Sequence, residues 1–548
     1  MSDPVSVREA SAPHAAVAHR QGRLVWWFAY ASVVMMGLLI TAFVSNRPWQ
    51  PYVGMSLGLI VLLSALWLTR PRFALYATLF LTTLSDIVAA RWFPFAKSLS
   101  SRESIAFVAD AATISPLEIS LFVGVVATSL RRYARTGRVL PPNPLVRPMF
   151  CLFGFVLFGF AHGVLTGGSL TIAVFESRGL FYVFAVFVVT ISVCTRPEHY
   201  EHAVLAVFAG VVVHALITLQ YYFALPSEER AGLDSLGEHG ASVTMNLVFI
   251  ALFAGVLFKS ISRLTTTTLV FICVPVGAVY LLSQRRAAVA ALAVAVVSVL
   301  VMLAWRRRRT FLKVVPVIAI LTTVYVGAFW NSTGTAGFPA QAIKGAVAPG
   351  SATAEDRSSD QYRIAESVDV NATIRSSPIL GLGFGHEFLR PIPLPRINDF
   401  LLARYVPHNS FLWIWIKLGF LGFATMVYVL MKSIVLGVAR TRELIAGREL
   451  MTTVIGVLYI VMFAVYTWVD ISWDPRLTPV LGLAIAVCSQ PIGRANRDEF
   501  ATARDEPAPP HRRPTVPSGA PHEGARPRQS SPMISTRLTD HAGNVGTT

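Results

Sequence analysis

A histidine and three arginines are the side chains of this sequence best suited to chemistry. His408 stands in Pro407-His408-Asn409-Ser410-Phe411-Leu412, where a long polar segment gives way to an apolar run. Imidazole changes charge near neutral pH, so it can take a proton from a reacting hydroxyl. The plainer reading is an interfacial residue at a helix start, with Asn409 or Ser410 as the cap. Ten residues separate His408 from Gly419, and Gly422 follows. Glycines at i and i+3 permit close helix packing, which would hold the histidine's end of that helix rigid. Arg285 and Arg286 lie between two tightly linked apolar runs, and Arg178 follows Phe175-Glu176-Ser177. Guanidinium stays charged and grips phosphate through paired hydrogen bonds, so arginines converging at one membrane face suit an anionic ligand such as a lipid diphosphate. The plainer alternatives are a local pair of Arg178 with Glu176 and an ion pair of Arg286 with a loop carboxylate.

The segment Pro378-Ile379-Leu380-Gly381-Leu382-Gly383-Phe384-Gly385 invites a nucleotide reading, but no strand–turn–helix unit surrounds it. Gly383 and Gly385 fit better in a turn that brings the backbone close to a substrate, or that folds the segment back onto the membrane. Upstream, residues 360–375 pattern as an amphipathic helix with Ile364, Val368 and Ile374 near one face and Arg363 on another. Arg363 is either a solvated helix charge or a ligand contact. Asp369-Val370-Asn371 only approaches a D-x-D pair, and Asp356 and Asp360 are four residues apart, as at a solvated helix start. Without a His/carboxylate cluster no metal site is expected, and no phosphate-loop motif marks an ATP-driven pump.

The elements that must position these residues are apolar. The chain has 548 residues, 54% hydrophobic and 14% charged, with mean hydropathy +0.57; soluble domains carry roughly 25% charged residues. Apolar runs predict spans at 24–44, 52–69, 73–90, 116–130, 149–166, 179–195, 203–224, 242–258, 267–284, 287–305, 311–330, 410–431, 451–470 and 477–490. Asp86 and Glu118 intrude on the third and fourth. The expectation is an all-α polytopic membrane protein of 12–14 transmembrane helices. The net charge of +17 is spread in short arginine clusters between runs, a topological pattern and not that of a nucleic-acid-binding domain.

Alternating from a cytoplasmic N-terminus, the inner loops hold Arg70 and Arg72; Arg131, Arg132, Arg135, Arg138 and Arg147; Arg306 to Arg309; and Arg440, Arg442 and Arg448. The large loop 331–409 carries seven basic and seven acidic residues and falls outside. Arg285-Arg286 sits near the outer face, against the rule, and such residues are functional by default. The expected organisation is a disordered cytoplasmic N-terminus at 1–23, a membrane domain at 24–490 and a disordered cytoplasmic tail at 491–548. The N-terminus has no cleavable-signal pattern, so the first span reads as a retained anchor. Cys151, Cys194, Cys273 and Cys488 fall in apolar runs without disulfide or zinc spacing.

Taken together, several of these segments resemble the O-antigen ligase and polymerase superfamily of bacterial envelope glycosyltransferases. The resemblance rests on Ser283-Gln284-Arg285-Arg286-Ala287-Ala288, Arg363, Pro378 to Gly385, His408 with its glycine, and a large outer loop followed by three last spans. It covers about residues 170–490. It implies a multi-span fold with an external catalytic loop, related to the C-type glycosyltransferases, at the cytoplasmic membrane. The implied reaction moves a glycan from an undecaprenyl diphosphate carrier to a hydroxyl of a glycan, lipid or protein acceptor, with neither metal nor cofactor. Arg286, with Arg285 and Arg178, would bind the diphosphate, and His408 would activate or orient the acceptor. The chain departs from the family in having Ala287 where Gly is usual, in lacking R-x-x-x-L at Arg285 and Arg286, and in its larger span count. A transporter or flippase of lipid-linked glycans is the alternative; it would place charges mid-span between broken helices.

Overall fold

A computed structural model describes residues 51–84, 95–96, 113–231, 236, 240–332, 334–348, 354–395, 402–444 and 446–490. The expected first span and both terminal segments lie outside the described residues. The described residues form helices and no strand: α1 Pro51–Thr69, α2 Pro71–Thr83, α3 Pro116–Thr136, α4 Val146–Leu165, α5 Leu170–Val193, α6 Pro197–Ala224, α7 Ala241–Phe258, α8 Arg263–Ser283, α9 Arg286–Arg306, α10 Arg308–Ala328, α11 Phe338–Val347, α12 Ala354–Ser376, α13 Ser410–Glu443, α14 Arg448–Val469 and α15 Leu477–Cys488. A five-residue helix, Ser227–Ala231, follows α6.

Among the described residues, nine helices are long and apolar enough to cross a membrane: α4 to α10, α13 and α14. The last twelve residues of α1 and the whole of α15 are shorter apolar helices. Thirteen of the fourteen expected spans are therefore helical, though not all reach full length. The protein is an all-α polytopic membrane protein. Its centre is α14, α15, α5 and α7, which are buried along most of their length, whereas α10 buries none of its span.

Helix ends are fixed by their own sequences. Ser115 and Glu118 form a capping box at α3, with Pro116 at its first position. Ser169 accepts from the Ile172 N–H and starts α5 well before the expected 179. Glu176 and Arg178 consequently lie inside a helix, not ahead of one. An apolar-run reading begins a span after its charges; here each charge is paired and the helix runs through them. Asn409, rather than Ser410, caps α13, its Oδ1 accepting from the Leu412 N–H at 3.0 Å.

Gly419 departs from its expected role. Its φ of 68° and ψ of −177° break α13 into two helices instead of smoothing a helix contact. Only glycine adopts this conformation without strain, and a Cβ there would strike the Ile379 carbonyl.

Two ends of the bundle are distinguishable. At one, Arg306 donates to the Leu444 carbonyl at 2.5 Å, Arg440 pairs with Glu449, and Arg448 with Glu201 at 3.1 Å. At the other lie Arg286, Glu176 with Lys417, and the start of α13. The 21 residues of α9 separate Arg286 from Arg306 by roughly 30 Å.

Candidate functional site

The segment 331–409 contains α11 and α12, the second spanning the helix expected at 360–375. The face α12 buries is not the expected one. Ile364 and Val368 are exposed, whereas Glu366, Asp369, Val370 and Thr373 are buried. These recur at helical spacing, and three of the four are polar. Each polar group has work holding the chain that returns to α13. Thr373 Oγ1 accepts from the Leu389 N–H at 2.9 Å, and Asp369 Oδ1 accepts from the Ile392 N–H at 2.9 Å.

Glu366 takes His408 itself. Its Oε2 accepts from the His408 backbone N–H at 2.9 Å, and both oxygens lie 3.1–3.2 Å from Nδ1. An ionised carboxylate only accepts, so this contact places the imidazole proton on Nδ1 and leaves the Nε2 lone pair available in the neutral ring. The Tyr362 ring meets the imidazole edge-on at 5.5 Å. Burial first, then the Glu366 carboxylate, pushes the Tyr362 phenol above its usual value, so it remains a neutral donor.

Arginines gather along the same helix. Arg286, the first residue of α9, reaches Asp360 of α12 at 3.8 Å. Asp360 and Glu366 are six residues apart, about 9 Å of helix rise, so α12 ties Arg286 and His408 into one region. Arg363 lies between them in sequence, and its buried Nε has no hydrogen-bond partner among the described residues. Nε and Nη2 of Arg390 are in the same state, with the guanidinium 5.1 Å from the Phe388 ring. Arg285 is the N-cap residue of α9.

Arg178 goes elsewhere. It pairs with Glu118 of α3 at 2.7 Å and lies over the Phe175 ring, while the Tyr182 hydroxyl donates to the same carboxylate. Its local partner is therefore not Glu176.

Glu176 is instead committed to α13 and the glycine segment. It forms a fully buried ion pair with Lys417 at 2.8 Å and accepts from the Gly385 N–H at 2.6 Å. Lys417 in turn donates to the His386 carbonyl at 2.6 Å. Gly381, Gly383 and Gly385 have φ of 72°, 79° and 85°, and all three are buried. The amides of Leu382 and Phe384 donate to the carbonyls of Ile416 and Gly159 at 2.7 and 3.0 Å. A Cβ on Gly383 would lie 2.5 Å from the Cα of Gly163. Of the two roles expected for this segment, the geometry is that of folding back onto the membrane domain; Gly383 and Gly385 face α4 and α5.

Of the residues singled out from the sequence, the structure brings His408, Arg286 and Arg363 together along α12, with Asp360 as the loop carboxylate that Arg286 meets; Glu366, Tyr362, Arg390 and Lys417 were not singled out. The available signal was the Tyr362, Glu366, Asp369, Thr373 stripe at spacings of four, three and four. Among the described residues, no group of three or more His, Cys, Asp or Glu is placed to hold a metal.

Residues 248–427 match the family model described as O-antigen ligase. That stretch runs from α7 into α13 and contains Arg285, Arg286, α12, the glycine segment and His408. No curated protein matches the chain.

Proposed function

We propose that this chain, which carries an O-antigen ligase domain over residues 248–427, transfers a glycan from a polyprenyl diphosphate carrier to an acceptor hydroxyl at the outer face of the cytoplasmic membrane. The family match over residues 248–427 supports glycan transfer of the ligase or polymerase type. The observation that carries it is the Glu366–His408 pair, held on the same helix that meets Arg286.

In this reading the acceptor oxygen bonds to the anomeric carbon of the donor sugar. The anomeric carbon–phosphate oxygen bond breaks, and its electron pair leaves with the diphosphate. The acceptor proton passes to Nε2 of His408, whose imidazolium is stabilised by Glu366. Arg286, with Arg363 and Arg390, offsets the charge that grows on the leaving diphosphate, an electrostatic effect that needs no resident metal. The carrier's tail remains in lipid while its sugar meets the 331–409 segment. The clustering of Arg306 to Arg309, Arg440 and Arg448 at the far end supports an outward orientation of the site.

Passage of a lipid-linked glycan across the membrane has one observation in its favour: a broken helix, α13, with a buried ion pair two residues from the break. Those charges are taken up by protein groups, Glu176 by Lys417, Gly385 and Trp413, and Lys417 by Glu176 and His386. The purified chain, given carrier-linked donor and acceptor, is expected to form product and free polyprenyl diphosphate. His408→Ala and Arg286→Ala, expressed at normal level, should each lose this. Undiminished transfer by either variant removes that residue from the mechanism, and wild-type protein that moves donor between leaflets without forming product favours the transporter.

A further inference from the structure

The end of the bundle opposite His408 contains a second charged feature that glycan transfer does not use. A cavity of about 630 Å³ lies where the α1–α2 turn, the last turns of α3 and the end of α5 meet. Five of its lining residues are Arg70, Arg72, Arg131, Arg132 and Arg135, and among the described residues no carboxylate lines it. One cation in the last turn of α3 complements the helix dipole. Arg131 and Arg135, however, are like charges four residues apart, which disfavours the helix, and Arg70 and Arg72 add two more from another element. Arg72 is engaged by His199 Nε2 at 2.6 Å, while the buried Nε of Arg132 has no hydrogen-bond partner among the described residues. Such a set suits a bound anion.

A neighbouring groove identifies the kind of anion. It measures about 520 Å³, shares Arg70 and Phe73 with the basic cavity, and is otherwise lined by Leu66, Tyr76, Ala77, Phe80 and Ala206. Phe73, Leu130 and Tyr133 are exposed on the same helices. A free inorganic anion has no use for an apolar groove beside its site; a phosphodiester carrying acyl chains fills both. We propose that the paired cavities bind an anionic phospholipid, its phosphate among the arginines and an acyl chain along Phe73, Ala77 and Phe80. Basic pockets between helices are a known chemistry for acidic lipid head groups, and this one is independent of the catalytic reading.

The test is native mass spectrometry of the full chain in non-ionic detergent with phosphatidylglycerol, phosphatidylcholine or inorganic phosphate. Wild type should retain phosphatidylglycerol in preference to phosphatidylcholine. Replacing Arg131, Arg132 and Arg135 together by Gln should weaken that retention on the order of 100-fold, while Arg307→Gln with Arg309→Gln should leave it unchanged. Ala77→Trp, which keeps every charge and fills the groove, should also weaken it. Equal retention of the two lipids, equal loss in the Arg307/Arg309 control, or retention unaffected by Ala77→Trp overturns the proposal. Displacement of the lipid by millimolar inorganic phosphate reassigns the cavity to a free anion and overturns the lipid assignment.

Discussion

At the scale of single residues, Glu366 decides what His408 can do. A bare helix-end imidazole samples both tautomers and several orientations, whereas a carboxylate on Nδ1 and on the backbone amide fixes one of each. Loss of a positioned general base costs typically 10²–10⁴-fold in rate, and His408→Ala should fall in that range. Glu366→Gln keeps an acceptor for Nδ1–H but lacks the charge that stabilises the imidazolium, so kcat should fall with KM for the acceptor little changed. Glu366→Ala should be worse than Glu366→Gln; if Glu366→Gln keeps the wild-type rate, the carboxylate only positions the ring and its charge is not used. Arg286 permits a second separation. Its pair with Asp360 is 3.8 Å long with Asp360 more than half exposed, the class worth roughly 0.2–1 kcal/mol. Asp360→Asn should therefore retain near-normal transfer while Arg286→Ala does not, measured as product per unit of folded protein. Matching losses in both would make the arginine a loop anchor rather than a diphosphate contact.

At the scale of elements, the glycine segment shows why part of the site could not be read from the sequence. Alternating glycines announced a special backbone, but a substrate-facing turn and a turn docked on a membrane helix share that signature. What distinguishes them is Gly159 and Gly163 of α4, more than 200 residues upstream and silent on their own. Glu176 and Lys417 were hidden similarly: Lys417 stands alone in an apolar run and Glu176 has Arg178 two residues on as a nearer candidate partner, so only their meeting explains both. Glu366 was missed because Ile364 and Val368 suggested a buried apolar face, while the structure buries the polar one. The spans themselves were legible, since length and hydropathy are local properties.

Gly383 and Gly137 form a controlled pair for testing the docking. Both have positive φ, 79° and 67°, but Gly137 has nothing near its Cβ direction while Gly383 faces the α4 backbone. Ala at Gly137 should cost only the left-handed penalty of about 1–2 kcal/mol. Ala at Gly383 should lower the melting temperature further and reduce transfer, because the segment must leave α4. Equal effects at the two positions would mean that the docking contributes nothing. Lys417→Met adds an orthogonal check. An unpaired buried Glu176 costs about 3–5 kcal/mol, and Glu176→Gln in the same chain should restore part of that in thermal melting.

At the scale of the whole molecule, the proposed transfer depends on which side of the membrane His408 faces. The charge pattern favours one side. Arg306 to Arg309 lie at one end of α9, with Arg440, Arg442 and Arg448 at the same end of the bundle, whereas the segment with His408 has balanced charge. Positive loops are retained on the cytoplasmic side, which supports the proposed outward placement of α12 and His408. The same orientation would put the paired basic and apolar cavities at the inner leaflet, the leaflet where polybasic segments meet acidic lipid. Cysteine labelling tests this directly, in a Cys151→Ser background because Cys151 is the exposed native thiol. Ser358→Cys, exposed near the start of α12, should react with a membrane-impermeant maleimide in intact cells. Arg138→Cys, exposed just beyond α3, should react only after permeabilisation. The reverse pattern would put His408 on the cytoplasmic side, away from an outward-facing lipid-linked donor, and both the transfer reaction as written and the leaflet of the lipid site would have to be abandoned. Reaction of both thiols in intact cells would mean that the bundle does not separate these two ends across the bilayer, which the roughly 30 Å span of α9 requires.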